Sequence, residues 1–334
     1  MKICIAAIFY LVALVSNAQT KINGLSFVAS NNPISIEAIE PVLNLNANWV
    51  AVMPFGFLKS EQNTEIIYNS KRQWWGETKV GVAKTIQAFH NHKIKVMLKP
   101  QIWIPNGGFT GNINMKSEAD WIVFEKNYEH FILDYAQLAA DNNVAIFCVG
   151  TELHNFVLIR SSFWQKLLIK IKTVFKGKIT YAENWDTFEK VPFLAALDYI
   201  GIDAYFPLSS EKSPSLKTLI NAWKPIKKRI KQLSNRYNKP VLFTEFGYQS
   251  KDFATAKPWD HSTDQKINLE LQSVGLQSFF MQFWHEKWCS GGFLWKWYDS
   301  NEAAGGLSNT DYTVQNKPAQ DLVMDQFKKA KKAQ

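Results

Sequence analysis

The chain is organised in blocks: short unbroken apolar runs, each followed by a longer stretch whose apolar positions recur three and four residues apart. A strand covered on both faces reads as a continuous apolar run, and a surface helix as the 3.6-residue repeat. Eight runs fit the strand pattern, at 22–28, 49–54, 95–99, 146–151, 178–182, 199–204, 241–244 and 292–297. Helical patterns follow at 34–44, 80–92, 117–142, 161–175, 187–197, 215–235, 264–285 and 317–329, the fifth being the weakest. Ser117 and Asp120 stand at capping-box spacing at the head of the third. No Pro-, Gly- or Ser-rich linker interrupts the alternation. The pattern therefore predicts an α/β fold, a single (β/α)8 TIM barrel over residues 19–334.

In such barrels the loops after the strands build the active site. Here those positions are polar and aromatic: Trp74 and Trp75 after the second strand, Lys99 and Trp103 at the third, Asn184 and Trp185 after the fifth, and Trp295 and Trp297 in the eighth. The fourth and seventh runs end abruptly in carboxylates, Glu152 and Glu245. Either glutamate alone is as well explained by a salt bridge at a strand end. The pair, at the mouth of one barrel, has the chemistry of glycosidic-bond cleavage, which uses two facing carboxyl groups. Aromatic rings stack on the apolar faces of sugars while amides, carboxylates and lysines bond their hydroxyls, and thirteen Trp in 334 residues fit a saccharide groove. Glu183 and Asp203 compete for the carboxylate roles: Asp203, two before Tyr205, falls deeper as a support, and Glu183 reads as a rim or substrate contact.

Charge and cysteines change the picture little. The formal charge of +9 comes from lysines in helix-like segments such as 224–231 and in the tail 328–332, with no nucleic-acid motif beside them. No membrane span and no nucleic-acid partner are expected, and a monomer is. Lys2, the apolar stretch 3–15 and Ser16-Asn17-Ala18 have the form of a secretory signal at 1–18, cleaved to leave Gln19. The protein is expected to be secreted or periplasmic. Cys148 and Cys289 read as buried free thiols. His90, His92 and His130 lack metal-ligand spacing, and no Gly-rich phosphate loop follows the seventh or eighth strand, so neither metal nor cofactor is expected.

Four segments carry a resemblance: Val149-Gly-Thr-Glu152-Leu, Tyr199-Ile-Gly-Ile-Asp-Ala-Tyr205-Phe-Pro, Phe243-Thr-Glu245-Phe-Gly-Tyr and Phe293-Leu-Trp-Lys-Trp297. Together they resemble glycoside hydrolase family 113, within the clan of retaining (β/α)8 glycosidases, whose characterised members are chiefly endo-β-1,4-mannanases. The resemblance implies that Glu152 is the general acid/base and Glu245 the nucleophile, in a retaining pair about 5–5.5 Å apart. It implies that Tyr205 hydrogen-bonds and aims the nucleophile, and that Trp297 is the platform beneath the sugar being cleaved, with Trp295 as the alternative. Where most of the clan places Asn before the acid/base, this chain has Thr151, so the contact to the sugar 2-hydroxyl falls to Asn184 or Lys99. The function so implied is cleavage of a mannan-type polysaccharide. The same machinery on another β-linked glycan, and a non-catalytic glycan-binding barrel, are the alternatives.

Overall fold

The computed structural model describes residues 20–260 and 264–332. The expected signal segment and its cleavage point at Gln19 lie outside the described residues. Eight parallel strands close a barrel: β1 (Ile22–Phe27), β2 (Trp49–Val52), β3 (Lys95–Leu98), β4 (Ile146–Thr151), β5 (Lys178–Asn184), β6 (Ile200–Asp203), β7 (Val241–Phe246) and β8 (Cys289–Trp297). Each pairs with its sequence neighbours, and β8 returns to β1.

The outer ring comprises α1 (Ile36–Asn44), α2 (Lys79–Asn91), α3 (Glu118–Asp141), α4 (His154–Ile159), α5 (Ser161–Val174), α6 (Leu216–Tyr237), α7 (Leu269–Phe283) and α8 (Pro318–Lys332). Side-chain caps start several of them, at Thr78, Ser117, Ser215 and Asn268. At α3 the expected cap forms, the Ser117 hydroxyl accepting from the Asp120 N–H, while the Asp120 carboxylate returns to the Ser117 hydroxyl and not to its backbone N–H. The helix expected at 187–197 does not form. Two single 3-10 turns, Phe188–Lys190 and Leu194–Ala196, stand there instead. Pro192 between them lacks an N–H and disfavours helical backbone at the residue before it.

Two apolar layers result. A large outer core packs one face of every strand against the helices, and a smaller cluster that includes Trp49, Met97, Cys148, Leu242 and Phe293 fills the barrel itself. Cys148 and Cys289 are buried free thiols, as expected.

Departures from strict alternation decide which side chains reach the barrel mouth. In β7, Phe243 and Phe246 both pack in the outer core although they stand an odd three positions apart. The register against β8 and β6 shifts between them, so that Thr244 and Glu245 both face inward. A bulge of this kind re-aims a side chain at the cost of one ladder position. In β8, Leu294 and Trp297 occupy the outer core while the register against β1 runs from Leu25↔Leu294 to Phe27↔Trp297, three residues against two. Trp295 is thereby left on the inner face beside Phe293.

Among the described residues no helix is long and apolar enough to cross a membrane.

Candidate active site

Glu245 is held at both carboxylate oxygens. The Lys99 ammonium stands 2.5 Å from Oε1, and the Tyr205 hydroxyl donates to Oε2 at 2.7 Å. Lys99 follows β3 and is 0% exposed, with its charge shared between Glu245 and Asp203, 3.6 Å away. Burial alone would lower the Lys99 ammonium, but the Asp203 and Glu245 carboxylates overcome it and hold it above its ordinary value. Asp203 lies beneath, fully buried, and accepts from the Thr244 hydroxyl at 2.6 Å. Burial, then the neighbouring Glu245 charge, pushes its carboxyl up to about 7. Burial and Glu245 likewise keep the Tyr205 phenol well above its usual range, so the proton stays on Tyr205 and the bond runs toward Glu245.

Glu152 faces this assembly from β4. A register shift after Cys148 and a left-handed backbone at Glu152 itself (φ 51°) end the strand, with the Glu152 N–H bonded to the Ala182 carbonyl at 2.8 Å. That conformation costs energy for a residue with a Cβ, and such strain gathers at functional sites. Burial, then the charges of Asp203 and Glu245, drive the Glu152 carboxyl well above its ordinary value, with Lys99 opposing and Glu183 adding. One carboxyl group that favours its proton thus stands near another fixed by two donors, which is how environment separates an acid from a nucleophile.

The other expected residues divide. Trp295 is partly exposed and packs on the barrel-filling cluster, whereas Trp297 is 0% exposed in the outer core. The expectation that Trp297 is the sugar platform is therefore corrected: its ring has no face open to a ligand, and the β8 register shift leaves Trp295 as the ring on the barrel face. Lys99 is likewise corrected from a sugar contact to a buried support of Glu245. Glu183 does not lie on the rim. It is buried at the end of β5, where Oε1 accepts from the Asn184 N–H and the Thr187 hydroxyl, Oε2 stands 4.0 Å from His154 Nδ1, and burial pushes it up to about 7. Asp203 is the deep support that its position implied.

Asn184 and Trp185 reach the mouth partly exposed, the Asn184 oxygen accepting from the Trp185 N–H at 2.9 Å. Trp75 lines a narrow recess with Ser30, Asn32, Met53 and Asp299 that has room for about one water molecule. Trp103 is 53% exposed on a two-stranded sheet, Phe55–Phe57 with Gln101–Trp103, that extends β2 and β3 beyond the barrel. Thr151 is buried beside Glu152.

Three residues of the site escaped the sequence reading. Thr244 orients Asp203; Tyr312 packs edge-on against Tyr205 at 5.9 Å; and Trp259 stacks on Trp185. Trp259 and Tyr312 sit in the loops after β7 and β8, so the criterion that selected the other aromatics, extended further along those loops, would have found them. Among the described residues no group of three His, Cys, Asp or Glu side chains is placed to hold a metal ion.

A closed parallel barrel with two glutamates at its carboxyl-end mouth, ringed by tryptophans, defines a glycoside hydrolase. The profile of Glycoside Hydrolase Family 113 matches residues 29–317, and the chain belongs to that family. Among solved structures, the GH113 β-mannanase from Alicyclobacillus acidocaldarius in complex with ManMIm matches with a TM-score of 0.81 at 24% identity, over 93% of this chain and 98% of that one. A second GH113 β-1,4-mannanase matches with a TM-score of 0.79 at 23% identity, over 92% and 98%. A β-glucuronidase from Ruminococcus gnavus shares the barrel more distantly, with a TM-score of 0.56 at 14% identity, over 87% of this chain and 46% of its own. No curated protein sequence matches the chain.

Proposed function

We propose that the protein cleaves β-1,4-mannosidic bonds in mannan-type polysaccharides by double displacement, with retention of configuration. The observation that carries this reading is the Glu245 carboxylate held at both oxygens by Lys99 and Tyr205, beside a Glu152 carboxyl that favours its proton. Family membership and two similar structures named as β-mannanases support the substrate class. Glu245 attacks the anomeric carbon while Glu152 gives its proton to the departing oxygen. Once Glu245 is esterified its negative charge is gone, and with it one cause of the raised Glu152 titration. Glu152, left as a carboxylate by that transfer and no longer facing the Glu245 charge, takes a proton from the water that releases the sugar. Trp295 lies beneath the reacting sugar, with Asn184 available to its hydroxyls. Export through the segment 1–18 belongs to the same proposal, and detection of an intact Met1 on the native protein by mass spectrometry would refute that part.

Chemical rescue tests the roles. With an activated aryl β-mannoside and added azide, Glu245→Ala gives the α-mannosyl azide by direct attack. Glu152→Ala forms the glycosyl-enzyme and gives the β-mannosyl azide. Reversed products would exchange the two roles. Wild-type activity in both variants, or activity on glucomannan or cellulose with none on mannan, would overturn the proposal.

A further inference from the structure

We infer that Trp185 and Trp259 form the stacking platform for the sugar on the leaving-group side of the scissile bond, an inference that rests on the mannanase reading above. The two indoles come from different loops, after β5 and after β7, and stack at 5.1 Å with 18° between their planes. Trp185 is braced edge-on by Phe206 at 5.9 Å, and Phe206 by Trp223 at 5.6 Å. Trp259 has one face on Trp185 yet remains 41% exposed. Its chain neighbour Pro258 is pinned through its carbonyl by the Tyr312 hydroxyl, and the Tyr312 ring packs against Tyr205. A part-exposed indole is thus tied, through its neighbour's hydrogen bond and one aromatic contact, to the tyrosine that touches Glu245. Loose surface aromatics need no explanation, whereas one fixed from two loops at the edge of a site does.

The side follows from the proton. Glu152 delivers its proton to the departing oxygen, so the leaving sugar lies on the flank of Glu152. β4 lies between β3 and β5, and the β5 side is the one joined to it past Glu152: β5 ends in Asn184 with Trp185 following, and Asp186 is near enough to influence His154, two residues past Glu152. A pyranose presents an apolar C–H face to the indole and turns its hydroxyl edge toward Asn184 and Asp186. The two aromatic positions then divide the work: Trp295 serves the sugar that is attacked, and Trp259 the sugar that leaves.

The test compares wild type, Trp259→Ala and Trp259→Phe on two substrates: β-1,4-mannohexaose, and a β-mannobiosyl fluoride whose leaving group is a single atom. Losing a stacked ring is expected to lower kcat/KM on mannohexaose roughly tenfold, mainly through KM. The ratio of mannohexaose to fluoride activity should fall by a similar factor, and Phe should restore most of it. Cleavage of end-labelled mannohexaose should also shift to a different bond, which a merely structural role would not cause. Thermal melting shows whether Trp259→Ala remains folded, and Trp259→Phe supplies the comparison if it does not. An unchanged ratio and an unchanged cleavage position in a folded variant would overturn the platform while leaving the mannanase reading intact. A wild-type enzyme that cleaves neither substrate would overturn both.

Discussion

Lys99→Met separates what holds the barrel together from what aims Glu245, the proposed nucleophile. Methionine keeps the unbranched stem and removes the ammonium that lies 2.5 Å from Glu245 and 3.6 Å from Asp203. Two carboxylates then face each other in the barrel without a cation. Removing one partner of a buried pair costs about 3–5 kcal/mol. At roughly 2 °C per kcal/mol for a chain of this size, Tm should fall by about 6–10 °C. The loss should depend on pH. The Asp203 carboxyl is already pushed up to about 7 from an ordinary 3.8, and Lys99 is the charge that restrains it. A raised folded-state value contributes stability at low pH that is lost as pH rises through that value, so the variant should suffer more at pH 8 than at pH 6. Adding Asp203→Asn removes the uncompensated charge and should return much of the stability. It should not return the rate, because Oε1 of Glu245 still lacks its donor. A lost hydrogen bond to a charged group is about 1.5–3 kcal/mol, or roughly tenfold to a hundredfold in turnover. The assay is calorimetric Tm at both pH values with kcat on mannan, for wild type, both single variants and the double. A double variant that recovers rate along with stability would show that Lys99 serves the core alone. A Lys99→Met variant with wild-type rate would refute the account outright.

Further outcomes follow from the same geometry. Tyr205→Phe, which removes the 2.7 Å donor to Oε2, should lower kcat roughly tenfold to a hundredfold with the fold intact, and unchanged turnover would remove Tyr205 from the site. Trp297→Ala should cost about 3–5 kcal/mol of stability as a core truncation, while Trp295→Ala should chiefly lower activity; the reverse pattern in melts and rates would show that the β8 bulge is misread. Glu183, raised from 4.5 to about 7 by burial, contributes stability that is complete below pH 4.5 and lost as pH rises through 7. Glu183→Gln should therefore remove up to about 3 kcal/mol of that decline, and an unaltered Tm–pH slope would contradict it.

Much of the protein was legible in its sequence because two of its signals are local. A strand buried on both faces must be apolar along its length, so all eight barrel strands announced themselves, with ends displaced by a residue or a few. Carboxylates at strand ends interrupt such runs abruptly, which made Glu152 and Glu245 visible, and Tyr205 came with the family motif that surrounds it. Sequence also carried the information against a fifth helix, in Pro192, although the apolar pattern masked it.

Facing was decided only by the tertiary structure. Period-two alternation places Trp295 and Trp297 on one side of β8, and it would have turned Glu245 away from Thr244 in β7. Register shifts against neighbouring strands set both, and a bulge is a property of two paired strands that neither sequence states alone. The same holds for Lys99. A lysine at a strand end reads as a solvent-seeking side chain, and it became a buried support because Asp203 and Glu245, more than a hundred residues away, converge on it and offset its desolvation. Sequence determined which strands form and which chemistry they bear, since burial and reactivity are written residue by residue. Which of those residues meet was settled by closure of the barrel, which alone brings distant strand ends within hydrogen-bonding reach.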